Sequence, residues 1–194
     1  MSSQSQDPIR DPASEVVRAA LARPEAGGRM SIVAPNRWPW PPLITGGAAV
    51  VAVVLSWIWT PHSLTSGAFA VGVLLVALAL GLDLWAMLEM RRRRANILPH
   101  RPATALVSTG PFAWSRNPIY LANALLLLGL GGLLDNAWFL IAAPIAALAT
   151  DTLAIRREER HLALLFGADW VLYSGRVRRW CGRRRRHGAV HPLA

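Results

Sequence analysis

Two polar clusters carry the residue types from which chemistry could be built. The first, Leu106-Val-Ser-Thr-Gly-Pro-Phe-Ala-Trp-Ser-Arg-Asn-Pro-Ile-Tyr120, leads into an apolar run, and the second, Glu158-Glu159, follows another. Acidic groups beside a headgroup layer suit a cationic or hydroxyl-rich ligand. The same Glu pair could equally form a salt bridge with Arg116, and spacing alone leaves both readings open. Other chemistries find less support. No Gly-rich loop follows a strand, no Ser/His/Asp order stands out, and Gly129-Leu-Gly-Gly132 lies inside an apolar run, where small residues serve helix contact or a bend. His187 and His191 are four apart but lack acidic or Cys support, so no metal site is expected. Cys181 reads as an incidental thiol.

The elements that must position these clusters are apolar. Of 194 residues 53% are hydrophobic and 16% charged, against roughly 25% charged in a soluble domain. The apolar residues gather into four runs at 43–60, 66–90, 119–134 and 137–155. The first would be about 27 Å long as a helix, enough to cross a hydrocarbon layer of about 30 Å. All 21 basic residues are Arg, and the net charge is +10. Five Arg precede the first run, six lie in 91–118 and ten in 156–194, with none between runs one and two or in 131–136. That alternation points to four spans with both termini cytoplasmic in an inner membrane, and away from nucleic acid. Asp135-Asn136 can turn and cap the fourth run, so runs three and four form an antiparallel hairpin. The hairpin places Arg116, Asn117 and Tyr120 near Glu158 and Glu159.

The expected fold is therefore all-α: an integral membrane protein with four transmembrane helices plus short cytoplasmic C-terminal helices. Residues 1–37 read as a disordered cytoplasmic tail, 38–180 as the domain, and 181–194 as a basic flexible tail on anionic lipid. A cytoplasmic helix is expected over 156–166, stopped by Gly167, with Asp169 capping a last helix that carries Trp170 and Tyr173. Asp83, inside the second run, is expected to pair with an Arg or reach water.

With its two motifs and its closing Tyr173 and Val177-Arg-Arg-Trp180, the chain resembles the isoprenylcysteine carboxyl methyltransferases and the phospholipid methyltransferases that share their C-terminal module. The resemblance implies a membrane enzyme using S-adenosylmethionine. It also implies that Ala105, Leu106, Val107, Phe112, Asn117, Pro118, Tyr120 and Glu158 meet the cofactor, with Arg116, Tyr120 and Glu159 as catalytic candidates. Methylation of a carboxylate needs no base, whereas an amine must first lose a proton, for which Glu159 or Tyr120 is the candidate. Prenylcysteine-specific members carry an Arg one turn before the Glu pair; here Ala154 stands there, with Asp151 a little earlier. The resemblance implies an amphipathic or lipidic acceptor, methylated at a carboxylate as in isoprenylcysteine or, alternatively, at the amine of a phospholipid. A nicotinamide-dependent membrane reductase and a membrane adaptor without enzymatic activity are the competing readings.

Overall fold

Proline opens the first helix: Pro41 and Pro42 sit in its first turn, where a missing N–H removes no helical bond. In the computed structural model, which describes residues 40–59, 64–95 and 104–183, this helix α1 runs Trp40–Ile58. Helix α2 spans Ala68–Arg92 and α3 spans Pro118–Leu133. Helix α4, Trp138–Thr150, passes through a π-helical turn at Asp151–Ile155 into α5, Arg156–Arg176. A 3-10 turn, Gly110–Ala113, lies between α2 and α3. Among the described residues there is no strand, only an isolated antiparallel bridge between Val177 and Arg183. The expected tail over 1–37 and most of the basic tail over 181–194 lie outside the described residues.

Three stretches are long and apolar enough to cross a membrane: Pro41–Ile58, Ala68–Arg92 and the continuous Trp138–Arg176. The expected third span, α3, is a 16-residue apolar helix. At 1.5 Å per residue it reaches about 24 Å, short of a full hydrocarbon layer. Valines 50, 51 and 54 of α1, Phe69, Leu74 and Leu78 of α2, and Ile141, Ile145 and Leu148 of α4 are all exposed. That outward display suits lipid as solvent.

Small residues set the closest helix contact. Gly72 of α2 and Gly129 of α3 touch backbone to backbone: a Cβ on Gly72 would lie 2.6 Å from Leu133 N and 2.7 Å from Gly129 O. The glycine-rich stretch read as a contact surface is one. Ala79 and Ala86 continue the stripe on α2 at seven-residue spacing. A second core joins Ala52 of α1 to Leu127 of α3 and to Phe139, Ala143 and Ala146 of α4.

The α3–α4 hairpin forms at the expected residues. Asn136 Oδ1 accepts from Trp138 N–H at 3.0 Å, and its Nδ2 donates to Ala52 O at 3.3 Å. Asp135 turns the chain at φ 49° and accepts from Leu64 N–H at 2.7 Å. Asp83 is partly buried; its Oδ1 is buried and accepts no hydrogen bond among the described residues.

Candidate functional site

The polar clusters meet because the hairpin returns α5 to the start of α3. Gly167, at φ 48° and ψ −117°, breaks α5 into two limbs, as its residue type foretold. The second limb then folds Trp170 and Tyr173 back over the segment that precedes α3. Both rings are buried and pack edge to face at 5.8 Å. Tyr173 OH donates to Phe112 O at 2.8 Å, tying the two segments together.

Helix α2 fixes the other wall. Gly110 takes φ +59°, and a Cβ there would stand 3.1 Å from Glu89 Cγ and 3.3 Å from Trp85 Nε1. Only glycine combines that dihedral with that proximity. Thr109 donates its hydroxyl to Glu89, whose carboxylate also meets Arg93 Nε at 3.4 Å. The turn carrying Phe112 is thereby fastened to the end of α2.

A loop after α5 closes the structure from behind. Arg116 N–H donates to Arg178 O at 3.1 Å, Gly182 N–H to Trp114 O at 2.7 Å, and Asn117 Nδ2 to Arg179 O at 3.1 Å. This backbone path brings the Arg179 side chain in front of Glu159. Its Nη2 lies 2.6 Å from Glu159 Oε2 and its Nη1 3.3 Å from Asp151 Oδ1. Arg116 Nη1 reaches Glu159 Oε1 at 3.3 Å, and its guanidinium stacks 5.7 Å from the Trp170 ring centre. The salt bridge foreseen between Arg116 and the Glu pair therefore forms at Glu159.

Glu158 has a different environment. Tyr120 OH donates to its Oε2 at 2.7 Å. Some of its surface faces the cleft, yet the carboxyl lies deep among surrounding atoms. Burial raises its pKa above the usual carboxylate range, the Tyr120 bond works against that rise, and the charge on Glu159 adds to it. The Arg179 pKa is raised too, there towards the charged form: the Glu159 bond holds its guanidinium even more firmly protonated than usual.

One narrow cleft gathers most of the expected residues. Ala105, Leu106, Val107, Phe112, Asn117 and Glu158 line it together with Arg116 and Glu159. Tyr120 sits just behind, reaching the cleft through Glu158. Pro118 is fully buried at the start of α3 and is not among the lining residues. The wall also includes Met90, Ala95, Leu162, Trp170 and Tyr173, to which sequence reasoning gave no role in the site. Trp170 and Tyr173, three apart on a short helix, offered a signal as one aromatic face. Arg179 lies in the Val177-Arg-Arg-Trp180 segment that carries the resemblance, but nothing in its type or spacing gave it a role in the site.

A sequence profile of the phospholipid methyltransferase family matches residues 68–169, from the second helix through both polar clusters. The chain belongs to the phospholipid methyltransferase family. Family membership supports a membrane methyltransferase, and with the apolar helices it gives a multi-pass membrane protein. Two curated relatives are similar to it. The nickel-cobalt-cadmium resistance protein NccN of Alcaligenes xylosoxydans xylosoxydans is 33% identical over 121 residues, covering 58% of this chain and 52% of that protein. The cobalt-zinc-cadmium resistance protein CzcN of Cupriavidus metallidurans is 31% identical over 134 residues, covering 66% and 58%. The matched stretch thus spans little more than half the length of either relative. No solved structure matches the chain significantly. Among the described residues no group of three or more His, Cys, Asp or Glu side chains is arranged to hold a metal ion.

Proposed function

We propose that this protein transfers a methyl group from S-adenosylmethionine to an amphipathic or lipidic acceptor at the cytoplasmic face of the inner membrane. The observation that supports it most is the cleft itself, where Glu158, the Ala105–Val107 backbone and Phe112 line one space. The fit to the cofactor is chemical. A sulfonium cation suits a buried carboxylate flanked by the aromatic groups Phe112, Trp170 and Tyr173. The cleft holds only about 80 Å³ of free space, against roughly 300–1,000 Å³ for preformed small-molecule sites. A nucleoside-sized occupant therefore requires its walls to move apart, and the Gly167 break between the two limbs of α5 is the natural place for that. We place both termini on the cytoplasmic side from the alternation of Arg-rich and Arg-free connections.

When bound, the sulfonium supplies a methyl group to an incoming nucleophile and leaves as the neutral thioether. Within this reading Glu158 holds the cation and Tyr120 orients Glu158. Arg116 and Glu159, facing each other at 3.3 Å, set the polar rim where the acceptor arrives. Two guanidiniums clasp Glu159, Arg116 Nη1 on Oε1 and Arg179 Nη2 on Oε2, so both of its oxygens are engaged in ion pairs. A carboxylate acceptor needs no base, and its charge cancels that of the cation as the bond forms. The family favours a second reading, N-methylation of a phospholipid headgroup. There the Tyr120–Glu158 pair, with its raised carboxyl pKa, is the better proton acceptor.

The test is saturable binding of radiolabelled S-adenosylmethionine to the purified protein in lipid. Replacing Glu158→Gln is expected to weaken binding about tenfold, a loss of one charge-assisted contact. Absence of binding rejects the proposal, and equal binding by both proteins removes Glu158 from the site.

A further inference from the structure

A second, larger cleft of about 500 Å³ backs onto the first, sharing Glu159 and Trp170 as a common wall. Its remaining lining includes Thr152, Arg156, Arg160 and Arg179. Three guanidiniums thus line this cleft beside one carboxylate, which pairs with Arg179 on this side and with Arg116 on the other. The three are not equivalent. Arg179 spends its nitrogens on Glu159 and Asp151. Arg156 is anchored only through Nε, to Asp151 Oδ2 at 2.9 Å, and Arg160 only through Nε, to Arg156 O at 3.3 Å. The Nη groups of both bond no protein group among the described residues. Two anchored guanidinium forks with open Nη groups match a tetrahedral or planar oxyanion, which they can grip in bidentate fashion.

The cleft also has a direction. Ile145 and Leu148 are 61% and 68% exposed on α4, and Thr152, Arg156 and Arg160 follow at helical spacing. One stripe therefore runs from lipid-facing side chains into the cationic cleft. A molecule lying along it would keep an apolar tail against Ile145 and Leu148 and bring an anionic group to Arg156 and Arg160. An unanchored soluble anion would gain nothing from the upper part of the stripe.

We propose that the Arg156–Arg160–Arg179 cleft seats the anionic headgroup of a membrane lipid, the acceptor presenting its nucleophile across the Glu159–Trp170 wall to the methyl-donor cleft. Its assignment to the acceptor rests on the methyl-transfer reading; its affinity for a lipid anion does not.

The probe is dodecyl phosphate, titrated into the full chain in dodecyl maltoside, with inorganic phosphate as the tail-free comparison. Saturable one-to-one binding of dodecyl phosphate is expected, weakened about tenfold by Arg160→Gln and largely restored by Arg160→Lys. S-adenosylmethionine binding, measured on the same samples, should be unchanged by either substitution, which also reports that the variants fold. Dodecyl phosphate binding that ignores Arg160→Gln and the Arg156→Gln/Arg160→Gln pair overturns the site. Inorganic phosphate binding as tightly as dodecyl phosphate overturns the lipid source and assigns a soluble anion. Loss of the cofactor reading with retained dodecyl phosphate binding overturns the acceptor role alone.

Discussion

Adjacent side chains at 158 and 159 take opposite roles because their neighbours differ: a phenol meets the first, two guanidiniums meet the second. The consequence is measurable at Glu158. In the proposed function the cation binds the carboxylate and not the carboxylic acid, so S-adenosylmethionine affinity is expected to be full above the Glu158 pKa and to fall as pH drops through it. Burial raises that pKa, so the fall begins at a pH where an exposed glutamate would still be ionised. Tyr120 stabilises the charged form through its donated bond. Replacing Tyr120→Phe removes that donor, raises the pKa further and moves the fall to still higher pH. Calorimetric titration of cofactor across a pH series in both proteins checks this, and coincident profiles would show that the phenol does not tune Glu158.

At the scale of elements, the site depends on how closely α2 and α3 approach, since α2 carries Glu89 and α3 carries Tyr120. Alanine at Gly129 would put a Cβ 2.7 Å from Val76 Cγ2 and 2.9 Å from Val76 N, the latter rigid backbone. The helices must separate, and Gly129→Ala is expected to destabilise by about 1–3 kcal/mol, the usual effect of overpacking. Gly46 of α1 is the matched control: nothing lies within 4 Å of a Cβ there. Its replacement by Ala should be neutral or stabilising by up to about 1 kcal/mol through helix propensity. Reversible unfolding in mixed micelles measures both, and equal effects would mean that the glycine contact is not close-packed. This contact was legible in sequence because small residues inside an apolar run have few other uses. The Asp135-Asn136 turn was legible for a similar reason, as polar residues between two apolar runs. The π turn at Asp151–Ile155 was not. Its sequence, Asp-Thr-Leu-Ala-Ile, carries no helix breaker, and the extra residue is absorbed where tertiary pairing of Asp151 with Arg156 and Arg179 favours it.

Across the whole molecule, sequence reasoning found the partners that lie on helices and missed those delivered by an irregular loop. The two-motif pocket followed from hairpin topology, which Arg placement and apolar run lengths constrain. Residues 177–180 read in sequence only as the close of the family resemblance and 181–183 as the start of a basic tail, yet their backbone bonds Trp114, Arg116 and Asn117 and their Arg179 clasps Glu159. Such long-range carbonyl and amide pairing leaves no periodic trace. It also gives a test between the proposed enzyme and an adaptor that uses its Arg-rich end only for lipid. Removing residues 184–194 takes away Arg184, Arg185 and Arg186 and none of the contacts named above; cofactor binding should stay within about twofold. Removing 177–194 instead deletes Arg179, leaving Asp151 and Glu159 without their shared cation and Asn117 without its acceptor. Glu159 keeps Arg116 and Asp151 keeps Arg156, but both lose the cation that joins them and Asn117 Nδ2 loses its acceptor, so S-adenosylmethionine binding should fall about tenfold, with a lower unfolding midpoint. A pure lipid adaptor predicts a graded loss of vesicle binding with each Arg removed and no step at Arg179. A step between the two truncations in cofactor affinity, with vesicle binding declining smoothly, therefore decides for a loop built into the active cleft.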